Sequence, residues 1–512
     1  MARSLNYDVL DHILHYCSSS TLNNHCLVSS QFRLLAIPHL LRDVCLDRNP
    51  AQIVSFLNFI IANTQKDINK SNSDRHAGGL NVGWHVFSLR ILKSAFFTAD
   101  KVWKNGRWCS VRIGWEQYPI RTWASSLSSA LELMPNIRSI VIGANVEDIA
   151  SLSDDFGRSL LSRPLLTDIE LCDVGPITSF GLGREAELKR STTSIRSFKF
   201  RGYNNADPLE LSGRKGIGRF LMHSRETLEE IHFDSSVMHN LLAHGDVTSH
   251  GPQLIFPNVM TVSLRMCDVH LDALAKSFPA LTNLTIGLSP SFTPDDWTGN
   301  AALFPNLVSV KGDYRYITHF LQSNSACPRL CRLVIDNLWD HTLFGDPTLL
   351  IEQAAPGLRS LHVGHINDGR QVLAWWRAVV RASPSITFLA LSFNDYATEI
   401  SPPSTLCIQL PHLLASMPLI YISLTFKGNV GSRATVEVQD PISEYAIAVS
   451  YAANVKTLEY IDVLLKTSQS WWKISRARCN LVGNEDTVAV DVVDEAVGMK
   501  TRDWYDQAVF RK

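Results

Sequence analysis

The chain has 512 residues, 45% hydrophobic and 19% charged, and its 48 Lys and Arg against 49 Asp and Glu leave a formal net charge of -1. That balance provides no global field to draw in nucleic acid or an anionic membrane surface. A single compact core of this length would split into several domains, whereas an array of repeats escapes that limit because each unit buries its face only against its neighbours. The start, MARSLNYDVLDHILHYC, lacks the basic region and unbroken apolar core of a secretory signal. The longest apolar window, Ile53 to Ala62, is about half of the ~20 residues needed to cross a bilayer, so no span is expected. Ten cysteines lack the paired Cys-x-x-Cys spacing of a zinc site or dithiol and read as reduced, mostly buried thiols of an intracellular protein. Cys327 and Cys331 come nearest to a motif, but Cys331 falls between the apolar anchors Leu330 and Leu333 and no matching pair follows.

At the N-terminus, Leu10, Ile13, Leu14 and Cys17 fall at i, i+3, i+4 and i+7, one apolar stripe on a short helix. Thr21 is placed to cap a second helix carrying Leu22, Leu27 and Val28, and Ser29 or Ser30 a third carrying Phe32, Leu35 and Ala36. Three short helices cannot hide so much apolar surface among themselves and need either the rest of the chain or another protein. The segment resembles an F-box. Leu5, Asp8, Val9, Leu10, Ile13 and Leu14 match its opening, Cys26-Leu27-Val28-Ser29 and Phe32-Arg33-Leu34-Leu35-Ala36 its middle, and Leu40-Leu41-x-x-Val44 its exit. Asn6 and Tyr7 depart from the proline and the polar residue usual there. The resemblance implies that Leu5, Val9, Leu10, Ile13, Leu14, Leu27, Val28, Phe32 and Leu35 divide between a small helical core and a surface buried against a Skp-family adaptor. The residues taken alone also fit a plain cap on whatever follows.

Residues 49–133 read as a linker helix, an exposed loop and a first capping repeat with an insertion. Residues 64–82 are polar and glycine-containing, as are residues 202–216 and 287–300, and each is expected to be a loop. Lys101 to Trp123 interleaves Trp103, Lys104, Arg107, Trp108, Arg112, Trp115, Arg121 and Trp123. Basic groups beside aromatic faces could bind single-stranded nucleic acid or a sugar. Without a basic footprint elsewhere, the favoured reading is an insertion that packs its tryptophans over the first repeats.

From residue 134 to 470 an apolar-x-x-apolar-x-apolar hexapeptide recurs, plainest in Leu281-x-x-Leu284-x-Ile286, Leu330-x-x-Leu333-x-Ile335 and Leu358-x-x-Leu361-x-Val363. Its first instance begins at Val86, and after a gap of 51 residues the intervals run from 22 to 39 residues, bracketing a leucine-rich repeat. The fourth and sixth positions share one face of a short strand, because side chains alternate with period two. Helices are expected behind the strands over Leu271–Phe278, Tyr316–Gln322, Thr348–Ala355, Gln371–Ala382 and Ser443–Ala453. In eight units a proline stands two residues before the first hexapeptide position, where it cannot continue a helix and so marks the switch to strand. Residues 471–512, with Trp471, Trp472, Trp504 and Tyr505, read as a C-terminal cap over the last repeat.

The expected fold is therefore α/β, a leucine-rich-repeat solenoid of parallel strands with helices behind, preceded by an all-α segment over residues 1–48. No nucleophile elbow, Walker loop, metal motif or dinucleotide fingerprint stands in its required context, so no cofactor, metal or catalytic residue is assigned. Joined to the repeats, the F-box resemblance implies a substrate receptor of a Skp–cullin–F-box ubiquitin ligase in the cytoplasm or nucleus, a monomer that enters a larger complex with the adaptor and cullin. Its protein substrate would lie on the strand positions between the anchors: Asp168, Glu170, Lys199, Arg201, Glu230, His232, Asp234, Arg265, Lys311, Arg332, His362 and Tyr421. Their signs are mixed, so no simple acidic target is indicated. The alternative is a repeat scaffold that binds proteins outside any ligase.

Overall fold

A computed structural model describes residues 7–68, 81–96, 98–104, 107–113, 120–188, 194–202, 216–234, 255–265, 271–287, 304–323, 327–336, 357–366, 370–383, 385–394, 409–427, 443–465, 468–477 and 487–508. The chain is α/β and forms two compact units. The first is Met1–Val259 with Met266–Val269 and Lys276–Phe278, and the second is Met260–Arg265, His270–Ala275 and Pro279–Lys512. Within each unit the order of strands across the sheet is their order along the chain.

The first unit opens with helices α1 (Tyr7–His15), α2 (Ser19–Val28) and α3 (Ser30–Arg42). Ser18, rather than Thr21, caps α2: its side chain accepts the Thr21 N–H at 3.2 Å and lies 2.9 Å from the Thr21 hydroxyl. Ser29 caps α3 in the same way through the Phe32 N–H, satisfying a donor that the first helical turn leaves orphaned. Leu14, Leu22 and Ala36 form the core of this bundle, with Cys17, Cys26, Leu35 and Leu40 around it. The chain passes straight from α3 into the strand Asp43–Leu46.

That strand pairs in parallel with Ser88–Ile91, followed by Ser139–Ile142, Asp168–Val174, Ser197–Gly202 and Glu230–Asp234. The register aligns Leu89, Ile140, Ile169, Phe198 and Ile231 in one row and Ile91, Ile142, Leu171, Phe200 and Phe233 in another. All ten are buried. These are the fourth and sixth hexapeptide positions, so the textual repeat and the strand register coincide. Residues 41 to 46, Leu-x-x-Val-x-Leu, carry the same pattern one unit earlier than the expected start, within the segment read as all-helical.

Proline sets the entry to the strands. In Met134-Pro135-Asn136-Ile137 and Arg163-Pro164-Leu165-Leu166 the fourth residue's N–H bonds the first residue's carbonyl, a turn whose second position suits the fixed φ of proline. Behind the sheet, helix Pro176–Glu187 is capped from another segment. The Glu147 carboxylate accepts N–H bonds from Gly175, Ile177 and Thr178 at 2.7–3.1 Å and the Thr178 hydroxyl at 2.8 Å. Gly216 opens the next helix, Gly216–Ser224, at φ +54, a left-handed conformation that glycine adopts without strain.

In the second unit the strands from Thr261–Arg265 to Tyr460–Leu465 are parallel, with buried rows through Val262, Leu284, Val310, Leu333, Leu361, Leu389, Ile422 and Ile461. Helices lie at Leu271–Ser277, Tyr314–Ser323, Arg370–Ala382 and Glu444–Asn454, the last capped by Ser443. The expected helix over residues 348–355 is outside the described residues. After Leu465 the ladder reverses: Ser468–Ala477 and Thr487–Val493 pair antiparallel, and helix Glu495–Ala508 follows.

One further expectation changes. Residues 64–68 belong to helix Pro50–Ile68 rather than to a loop, because the helix that begins on the apolar window runs on into its polar flank. The insertion around Lys101 is a two-stranded antiparallel hairpin, Thr98–Lys104 with Arg107–Ile113, separate from the main sheet. Most of its side chains lie outside the described residues, but Trp123 is buried with its ring 5.8 Å from that of Phe96. No helix among the described residues is long and apolar enough to cross a membrane.

The Glu147 cap can be tested directly. Glu147→Ala strands up to four donors, and at about 1–3 kcal/mol for a lost cap with desolvated partners it should shift the urea midpoint of the first unit's transition downward, with Glu147→Gln intermediate.

Candidate binding face

Strand alternation turns the first and third positions of each strand away from the buried rows. In the first unit these rows run Ser88, Ser139, Asp168, Ser197, Glu230 and Arg90, Val141, Glu170, Lys199, His232. Three of the expected substrate contacts form one network around the Glu230 carboxylate. Ser197 donates to Oε2 at 2.7 Å, His232 Nε2 lies 2.6 Å from Oε1, and Lys199 Nζ lies 3.6 Å from Oε1. The His232 hydrogen bond, opposed by partial burial and aided by Ser197, His232 and Lys199, pulls the Glu230 carboxyl down to about 2. Asp168, which accepts the Thr167 hydroxyl at 2.7 Å, and Glu170 are half-buried, while Arg201 is exposed. The Asp234 side chain is outside the described residues.

In the second unit Arg265 and Lys311 are exposed, with Lys311 Nζ 3.5 Å from Asp336. Further along, the expected contacts Arg332, His362 and Tyr421 are covered, because helix Glu495–Ala508 lies on this face. Asp506 receives Arg332 in a fork, Nε to Oδ1 at 2.9 Å and Nη2 to Oδ2 at 2.7 Å, and also takes Ser360 Oγ at 3.2 Å and His362 Nε2 at 2.9 Å. Beside this cluster Phe388, Tyr421 and Tyr460 occupy the same position on successive strands and stack at 5.3 and 6.3 Å. The Tyr505 ring sits 5.8 Å from Tyr421 and 5.6 Å from Tyr460, and its hydroxyl donates to Glu459 at 3.0 Å.

Electrostatics follow the burial. Burial pushes the His362 imidazole below its ordinary value, against the pull of Asp506. Burial alone would raise the Asp506 carboxyl, but the hydrogen bond and charge of His362, with Arg332, together hold it below the usual carboxylate range. On the same face Asp462 is fully buried, taking hydrogen bonds from Ser423 at 3.0 Å and Gln469 at 3.1 Å, and burial pushes its carboxyl up against the opposing charge of Arg502. The Cys327 thiol is pushed up to about 11 by burial, as befits a packed side chain.

The second surface lies on α1–α3. Of the residues implied to meet an adaptor, Leu10 and Leu14 are buried, Phe32 and Leu35 are half-buried, and Ile13 is exposed. Leu27 and Val28 are 85% and 68% exposed, with Tyr16 and Leu34 exposed as well. The Val9 side chain and the whole of Leu5 lie outside the described residues. Ser360, Phe388, Tyr460, Tyr505 and Asp506 were absent from the expected contact set. The first three stand at the same strand position as the expected contacts Arg332 and Tyr421 and would have been found by reading that position in every strand. Of the last two, Tyr505 belongs to the aromatic segment expected to cap the last repeat, but nothing local to Asp506 marks its partners, which lie far back in the chain.

Neither a comparison with protein-family models nor a search of curated proteins finds a match for this chain.

The Glu230 network makes a pH-dependent contribution. Because the carboxyl is depressed in the folded chain, its stabilisation is present above the ordinary carboxylate value of 4.5 and is lost as pH falls toward about 2. The melting-temperature difference between the native chain and Glu230→Gln should therefore be largest near neutrality and shrink between pH 4.5 and 2; a difference constant across that range would contradict the assignment.

Proposed function

We propose that this chain is the substrate-recognition subunit of a Skp–cullin–F-box ubiquitin ligase, built as an F-box segment joined to a leucine-rich-repeat solenoid. The observation that carries the reading is the pair Leu27 and Val28, large apolar side chains left in water on a bundle whose own core is already filled by Leu14, Leu22 and Ala36. Surfaces of that kind mark sites that a partner covers. The order of matches to the F-box along residues 5–44 names the partner, a Skp-family adaptor. The regular parallel register supports the solenoid half of the reading, with its outward rows as the substrate face.

On this reading the chain supplies proximity rather than bond chemistry. One end holds the adaptor and cullin, the strand face holds a protein, and the bound protein's lysines meet activated ubiquitin at high effective concentration. The complex would work in the cytoplasm or nucleus, where that machinery resides.

Because Leu10 and Leu14 are core residues, charging them would unfold the bundle, so the informative variant is Leu27→Asp/Val28→Asp. The full chain should capture a Skp-family adaptor with its cullin. The double variant should lose ~10-fold or more in affinity while melting within about 2 °C of the native chain. A folded full chain that captures no adaptor overturns the ligase role and leaves a repeat scaffold that binds proteins by its strand face alone.

A further inference from the structure

We propose that the outward strand face of the second unit is a recognition site for a partner segment presenting an aromatic residue followed directly by a carboxylate, and that helix Glu495–Ala508 occupies this site in cis as its internal competitor. The proposal deepens the substrate-face half of the reading above and does not depend on the adaptor half.

The contact joins a polar recognition geometry to aromatic packing on the cluster of Phe388, Ala390 and Tyr421. Asp506 meets a two-pronged Arg332 together with Ser360 and His362, a geometry that selects a planar carboxylate and admits few substitutes. Tyr505 rests on the Tyr421 and Tyr460 rings, a platform that selects an aromatic side chain. The aromatic packing of Tyr505 would by itself hold a helix here, whereas taking the Arg332–Asp506 ion pair out of water returns little net stabilisation, so the fork adds selectivity rather than stability. Apart from Tyr505, the large apolar side chains of the helix stay in water: Val497, Met499 and Trp504 are each 53% exposed. The helix also starts abruptly after strand Thr487–Val493, with the Asp494 side chain accepting the Ala496 N–H at 2.9 Å. A short tether of this kind places the helix at high local concentration over the face.

Gly498 gives an independent handle on the docking. A Cβ built there would stand 2.3 Å from Cγ of Trp471, so only glycine lets the helix approach the sheet this closely, and the position takes no part in the Arg332–Asp506 contacts.

The test uses the full chain and a fluorescent peptide copying residues 495–508, read by anisotropy. Three forms are compared: native, Tyr505→Ala/Asp506→Asn, and Gly498→Val. An effective concentration of about 1 mM in cis against a peptide affinity of about 10 μM predicts on the order of 100-fold tighter apparent binding to the two opened forms than to the native chain. Adding Arg332→Ala to either opened form should weaken binding ~10-fold or more, as should asparagine in the peptide at the position of Asp506, with the same change at Asp503 as a control that leaves binding intact. Folded opened forms that bind no better than the native chain, or binding indifferent to Arg332, would overturn the proposal. Should neither opened form fold, the native chain decides by hydrogen exchange. About 1 mM free peptide should speed exchange of the helix amides by displacing the helix, and unchanged exchange would refute displacement. Adaptor capture is read on the same proteins. Peptide binding without capture keeps this inference and removes the ligase role, and capture without peptide binding does the reverse.

Discussion

Parallel pairing that holds one register across the hexapeptide anchors, shifting only past them at Cys172/Val174 and Val363/Ile366, is the constraint on which the rest depends. Within each unit the parallel strands set their fourth and sixth hexapeptide residues opposite the same residues of their neighbours, as Ile140 stands opposite Ile169 and Leu333 opposite Leu361. A slip of one residue would turn every apolar anchor outward and every polar one inward. The backbone reinforces the choice just before each strand, where one carbonyl takes two successive N–H groups of the next unit: Arg138 from Thr167 and Asp168, Thr167 from Arg196 and Ser197, and Cys331 from Arg359 and Ser360. With the anchors held inside, the side chains between them have only one place to go. The outward rows are thus a by-product of core formation, free to vary in chemistry.

That freedom explains why the two units use their outward rows differently. In the first, Ser197, Lys199, Glu230 and His232 satisfy one another and stay in partial contact with water. In the second, Phe388, Tyr421 and Tyr460 build an aromatic strip that another element of the same unit covers. Neither choice disturbs the buried rows behind, where leucine, isoleucine and valine recur, with phenylalanine at Phe198, Phe200 and Phe233.

The buried rows were the most legible part of the sequence, since period-two alternation inside a repeating hexapeptide is a strong local signal, and the prolines before the strands sharpened it. The strand Asp43–Leu46 escaped because its hexapeptide overlaps the end of α3, and helical periodicity masked it. Residues 64–68 escaped because polar composition was taken as the end of a helix that its upstream packing carries further. The outward contacts were legible in kind, in that Arg332, His362 and Tyr421 do face outward, but their occupant was not. Asp506 reaches Arg332 across 174 positions of chain, and no local pattern encodes such a return. On α1–α3, spacing found the stripe yet could not tell Leu14, turned inward, from Ile13, turned outward, because both lie on one broad apolar arc.

The join between α3 and the first strand has a mechanical meaning. Arg42 ends the helix and Asp43 begins the strand with no residue between them, so the bundle has no flexible joint at which to swivel against the ladder it leads into. Beyond that join the strands advance by a nearly constant step, ~4.8 Å for each neighbour in a sheet. From Asp43–Leu46 to Glu230–Asp234 the ladder takes five such steps, roughly 24 Å at that spacing. The first unit is in this sense graduated from a fixed head: the distance of any side chain on its outward rows from the helices is set by which strand carries it, and inserting or deleting one strand with its connection would change that distance by a whole graduation.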